Sequence, residues 1–323
     1  MLKEWILFLL ILCTTFVYSQ DYTTKDSLIF FLPQAKEDES KVMLLNTIID
    51  EATWDNPQQA LMYSKQMTDL SKKIGYKTGI ANGYAWMGYL EEQLGNVQLG
   101  LDYYFEAIRL FEELDSLSDV AGCYNNVASM YKDMGENDKA MNYFWKSLKI
   151  KMQLNNPEAI VFTLNNIGNI YSLQGKIKEA MELFYKALFI SENNGYKRVT
   201  SLTLGNIAGV YAGENHYAEA LENYQKALKI DKSLNDKHSI SHTLYAIGGV
   251  FEKMGFMQEA MGYYNNSKNM MVEIDDVRGL GFISIDIGYI YFKQKKWEEA
   301  LYNYQIGLDN LNQVNDKIGR AHV

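Results

Sequence analysis

Two histidines, His238 and His242, stand one helical turn apart in HSISH, and residues at i and i+4 share a helix face. Such a pair can offer two imidazole nitrogens to a transition metal. The neighbouring sequence supplies no cysteine and no evident third ligand, and His238 falls at a helix entrance, so no metal site is predicted. RGLGFISIDIG has closely spaced glycines, but it lacks the strand and the glycine spacing of a nucleotide-phosphate loop. Cys123 lies inside an apolar helical pattern and reads as a small buried side chain rather than a reactive thiol. The carboxylates recur at fixed intervals, as helix faces and caps do, and no serine or cysteine nucleophile is set beside a base. Neither an enzyme nor a cofactor is predicted within these residues.

A different polar feature stands out. TLNNIGNIYSLQG, residues 163–175, has the apolar spacing of a helix yet contains Asn165, Asn166 and Asn169. Asparagine is a poor helix-interior residue because its amide competes for nearby backbone groups. An amide that donates and accepts at once suits the main chain of a bound segment. Stacked asparagines can equally bond one another or water between neighbouring helices, and both readings stand at this point.

The elements that carry this stripe repeat every 40 residues. A small residue recurs at Gly88, Ala128, Gly168, Ala208, Gly248 and Gly288, and a second series runs Ala60, Gly100, Ala140, Ala180, Ala220, Ala260 and Ala300. Four residues beyond the second series stand Ser64, Tyr104, Phe144, Phe184, Tyr224, Tyr264 and Tyr304. Each unit holds two helical patterns, Leu164, Ile167, Gly168, Tyr171 and then Ala180, Phe184, Ala187, Leu188, both at helical spacing. Asn56-Pro57 and Asn156-Pro157 place a capping amide before a proline at the first helical position. Gly95, Gly135, Gly175 and Gly255 close first helices, and Glu179, Glu219, Glu259 and Glu299 fall in the first turns of second helices. The chain has 31 basic and 40 acidic residues, which argues against a phosphate-backbone binder, and its 47% apolar content with only 3 prolines suits a helical array.

The pattern resembles the tetratricopeptide repeat over residues 41–317, as seven units with a degenerate first. Two departures are the missing proline after the second helix and a period of 40 instead of about 34. Both resemble the longer-repeat branch of the family. The resemblance implies an all-α, right-handed superhelical solenoid of antiparallel helix pairs, with first helices lining a concave groove that takes a protein or peptide. The groove positions would be Asn125, Asn126, Asn165, Asn166, Asn169 and Asn206, flanked by Tyr89, Phe162, Leu202, His242, Tyr245, Phe282 and Tyr289. Some members grip a terminal carboxylate with groove lysines and arginines. The matching positions here are Asn82, Gly122, Phe162, Leu202 and His242, so that mode is not expected.

Residues 1–19, MLKEWILFLLILCTTFVYS, have the lysine, apolar run and small-residue end of a secretory signal, with an uncleaved anchor as the alternative. Cys123 would then be the only cysteine of the exported chain. Residues 20–40 are expected to be a linker. The segments from DSLIFFLPQAKEDES to KTGIANGY look like the exported part of bacterial signalling proteins, in which a repeat array precedes a membrane helix and a histidine kinase or DNA-binding output. The expectation is a sensory module on the periplasmic or extracytoplasmic side, touching the membrane only through the leader or a downstream helix, and not contacting nucleic acid. A freestanding periplasmic scaffold and an N-terminal fragment of a kinase are the alternatives. The last residues, DKIGRAHV, either imitate the start of another first helix (compare GYKTGIA) or, over 318–323, are non-native, since IGRAHV is one frame of a common sequencing adapter. On either reading the natural chain is expected to continue.

Overall fold

The computed structural model describes residues 24–53 and 56–320, apart from the side chains of 24, 25 and 314–320. The expected leader and residues 321–323 lie outside them. Fifteen α-helices and one 3₁₀ turn make up the described residues, and no strand occurs among them. Helix α1 (Thr24–Phe31) is followed by seven helix pairs: α2 (Glu39–Thr53) with α3 (Pro57–Ile74), α4 (Lys77–Gln93) with α5 (Val97–Glu113), α6 (Leu117–Asp133) with α7 (Asn137–Gln153), and α8 (Pro157–Leu173) with α9 (Ile177–Asn193). The array continues through α10 (Lys197–Gly213) with α11 (Tyr217–Leu234), α12 (Lys237–Lys253) with α13 (Met257–Glu273), and α14 (Val277–Lys293) with α15 (Trp297–Arg320). No helix of the described residues is long and apolar enough to cross a membrane.

From the second pair on, the helices close where a small residue meets an aromatic; in the first pair Ile48 and Ser64 exchange those roles. A Cβ added to Gly168 would lie 2.6 Å from the Phe184 ring, and one added to Gly248 would lie 2.6 Å from the Tyr264 ring. Phe144, Phe184, Tyr104 and Tyr264 are buried as a result. Buried residues fall into clusters strung along the chain, each shared by sequence neighbours. Helices pack almost entirely on the preceding and following helix. Stability in such an array is close to a sum of nearest-neighbour terms.

Turns recur at half the sequence period. Gly75, Gly95, Asp115, Gly135, Asn155, Gly175, Gly195, Asn215, Asn235, Gly255, Asp275 and Lys295 all have left-handed φ. The residue after each turns its N–H back to the helix just ended, as in Tyr76 N–H to Ser71 O at 2.8 Å and Lys296 N–H to Tyr291 O at 3.0 Å. This satisfies carbonyls that the helix end leaves open. Asn56 and Asn156 cap their helices as expected, accepting from Gln59 N–H and Ala159 N–H at 3.1 Å each. Lys295 is the one left-handed residue of the series that is neither Gly, Asn nor Asp. A Cβ in that conformation costs about 1–2 kcal/mol, part of which glycine's larger unfolded-state entropy would return. Lys295→Gly is therefore expected to raise the denaturation midpoint, by about 1 kcal/mol in free energy. A lowered midpoint would show the turn to be unstrained.

One boundary differs from expectation. The linker assigned to 20–40 contains α1 and the 3₁₀ turn Leu32–Gln34. Leu28, Ile29 and Leu32 repeat at helical spacing and pack on the Val42, Leu45 and Ile49 cluster, so they cover the outer apolar face of the first pair. At the other end, α15 runs unbroken through Asn315 to Arg320. The turn that would begin another first helix at DKIGRA does not form there.

Candidate functional site

First helices touch one another across repeats, α2 with α4, α4 with α6, α8 with α10 and α10 with α12, and second helices show no pairing of that extent. The shorter spacing puts the first helices on the inner side of the curve. Each contributes one outward-pointing position at the same register. Phe162, Leu202 and Phe282 stand there 39%, 46% and 49% exposed, with His242 between them in the series. Large apolar side chains thus stand half in water in a row along one face.

The asparagine stripe divides. Asn165 is buried at 1% exposure. Its Nδ2 donates to Val161 O at 3.1 Å and to Thr203 Oγ1 at 2.8 Å, and its Oδ1 accepts from Asn206 Nδ2 at 3.0 Å. Asn126 donates to Tyr104 Oη at 3.1 Å. Asn125 accepts from Lys151 Nζ at 3.4 Å, and the same ammonium donates to Thr163 Oγ1 at 2.8 Å. Burial pushes Lys151 down to about 8. Asn165 therefore does not face the groove: it seams α8 to α10, and Asn206 is tied to it. Asn166 and Asn169 differ. Both are half-buried, and neither side chain has a hydrogen-bond partner among the described residues. Their amides remain open beside Phe162.

Two hollows lie on this side. One of about 530 Å³ is lined by Asn46, Trp86, Tyr89, Tyr104, Cys123 and Asn126. Trp86, which the sequence reading passed over, donates its indole N–H to Asn46 Oδ1 at 2.8 Å. Cys123 is buried, and desolvation pushes its thiol up to about 12, so it stays protonated and unreactive at neutral pH. The second hollow, about 400 Å³, brings together Phe162, Leu202, Asn206, Asp231 and His242. Asp231 is buried and accepts from the Ser201 hydroxyl and, at 3.0 Å, from Thr243 Oγ1. Burial raises its carboxyl, and the two hydroxyls offset part of that. Phe282, Tyr289 and Asn169 belong to neither hollow. Tyr289 lies under Lys293 Nζ, 5.1 Å from its ring centre.

Near the last repeats the face turns acidic. Tyr245 donates to Asp286, and Tyr264 Oη donates to Glu252 at 2.7 Å. Burial raises both carboxyls and both phenols. His242 Nε2 stands 3.3 Å from Asp276 Oδ2, a neighbour the sequence reading did not supply. Asp276 is the cap of the next first helix, 34 residues on, and only the stacking of repeats brings it near.

In the N-terminal half, burial, reinforced by Asp133 and partly offset by Lys132, pushes Glu92 up to about 7. The unfolded chain releases that proton near 4.5. Between those values the folded state holds more protons, so this contribution to stability is present at low pH and lost as pH rises through about 7. Glu92→Gln is expected to match the wild type at pH 5 and exceed it at pH 8.5 by about 1 kcal/mol, once solvent screening is allowed for. Parallel urea titrations at the two pH values check this, and a constant offset between them would contradict it.

The tetratricopeptide repeat family matches at residues 160–233 and again at 120–158. Among curated proteins none matches. The apo form of RapI superposes with a TM-score of 0.68 at 17% identity, over 85% of this chain and 99% of that one. The Rap conjugation gene regulator of plasmid pLS20, solved in complex with the Phr* peptide, gives 0.65 at 15% identity over 94% and 82%. A signal transduction ATPase with a tetratricopeptide repeat sensor from Pyrococcus horikoshii gives 0.64 at 15% identity over 90% and 44%. At these identities the likeness is one of fold: an all-helical array of stacked helix pairs.

Proposed function

We propose that the concave face of this array binds a peptide or a segment of a protein, and that the chain acts by recognition and not by catalysis. The observation that carries the reading is the juxtaposition of open amides with half-exposed apolar side chains. Among the described residues Asn166 and Asn169 have no hydrogen-bond partner, and Phe162 stands on the same helix with Leu202 on the next. Amides meet a main chain while apolar groups take alternate side chains, the division of labour common in peptide grooves. A solved array of the same fold holds a peptide. Placement outside the cytoplasm, as the sensory part of a membrane signalling protein, rests on the leader-like first residues and on the likeness of residues 26–84 to exported sensor regions.

The reading is tested by selecting binders from a displayed random-peptide library and titrating them calorimetrically. Selected peptides are expected to carry apolar or aromatic anchors and to lose affinity at least tenfold against Leu202→Arg. The control Phe189→Arg, at a residue of α9 that is 68% exposed, should leave affinity unchanged. Loss at Phe189 with none at Leu202 would move the binding surface to the second helices.

A further inference from the structure

His238 and His242 present their rings on one face of α12, with ring centres 4.4 Å apart. Opposite them stands the carboxylate of Asp276, at the entrance of α14. One donor atom from each of the three lies within 4.8 Å of the other two. The repeat does not require this trio. From the second repeat on, the residues equivalent to His242 are Asn82, Gly122, Phe162, Leu202 and Phe282, and those equivalent to His238 are Thr78, Ser118, Glu158, Arg198 and Arg278. Nor does the capping role of Asp276 account for it. The cap uses Oδ1, which accepts from Gly279 N–H at 2.8 Å, while Oδ2 is the atom turned to His242.

We propose that His238, His242 and Asp276 form a binding site for a divalent transition-metal ion of the zinc class, with at least one coordination position open to the groove. The spacing supports it. Donors held about 2.05 Å from a metal ion and 3.3 Å apart, as His242 Nε2 and Asp276 Oδ2 are, subtend about 107°, close to a tetrahedral angle. Two imidazole nitrogens and one carboxylate oxygen are a ligand set that zinc takes when its fourth position is left to water or substrate. Asp276 is pre-oriented by its bond to Gly279, the supporting contact that metal-binding carboxylates ordinarily have. His238 is exposed and completes the site by side-chain rotation. The neighbouring cation, Arg198, is engaged with Asp236 at 3.0 Å and does not compete for Asp276.

The test uses the tag-free chain after chelator treatment, titrated with Zn²⁺ by calorimetry and with Co²⁺ by visible absorption. One ion per chain is expected, with the ligand-field band of a four- or five-coordinate Co²⁺ site. His238→Gln, His242→Gln and Asp276→Asn should each weaken binding about 100-fold or more, beyond the roughly 10–100-fold that loss of a supporting residue costs. Asparagine caps a helix as well as aspartate, so Asp276→Asn keeps the fold, which circular dichroism verifies. His216→Gln should bind as the wild type does. No binding of Zn²⁺, an octahedral Co²⁺ spectrum, or affinity unmoved by the three substitutions would overturn the proposal. None of these outcomes depends on whether a peptide occupies the groove.

Discussion

Asn165→Asp is expected to cost about 3–5 kcal/mol at pH 7, the range for a buried charge left without a counter-ion. Asn166→Asp, one residue on, should stay within about 0.5 kcal/mol. The contrast follows from what each amide touches. Asn165 donates twice, to Val161 O and Thr203 Oγ1, and accepts from Asn206. A carboxylate there keeps the bond from Asn206 but faces the Val161 carbonyl with an oxygen, unsolvated. Asn166 is half-exposed, and its side chain bonds to none of the described residues. Because the penalty at 165 is one of charge, it should shrink at low pH: against the wild type at the same pH, the deficit at pH 4 should be less than half that at pH 7. Urea denaturation of the three proteins at both values measures this. Equal and small costs at 165 and 166 would show that the seam between α8 and α10 is not held by this amide.

The second large effect concerns binding. Phe162→Ser, Leu202→Ser and Phe282→Ser together should weaken a groove-selected peptide about 30-fold or more, since two or three anchors each lose roughly 1–1.5 kcal/mol of apolar burial. Stability should change by less than about 1 kcal/mol, because these side chains are already half in water and leave little cavity behind. Melting curves and titrations of the same preparations separate the two quantities. A triple variant that binds normally removes the anchor row from the account. One that fails to fold shows the row to be structural.

The array was legible because its signals repeat. A small residue every 40, an aromatic four residues after the second small position, and capping amides before prolines each state a local preference that agrees with the others. The seven pairs follow that register, including the first, where Ile48 is buried at the place of the small residue. The groove was legible only to the level of a helix face. Asn165 and Asn166 are one residue and about 100° apart on a helix, and whether one points into the seam depends on how α10 leans against α8. Thr203, which receives Asn165, is 38 residues away. Asp276 was missed for the same reason. Its capping role is visible in DDVRG, but its approach to His242 exists only after two repeats stack. The helical segment Thr24–Phe31 was hidden differently: Pro33 and KEDES suggested a linker, and the apolar trio Leu28, Ile29 and Leu32 is too short to declare a helix without the surface it covers.

Recognition through the inner face is tested most directly by amide hydrogen exchange of the intact chain, with and without a saturating selected peptide. Slowed exchange is expected in the first helices α8, α10 and α12, around Phe162, Asn166, Asn169, Leu202 and His242, while α9 and α11 exchange as before. Protection confined to the second helices, or bound peptide with no protection in α8 and α10, would contradict it.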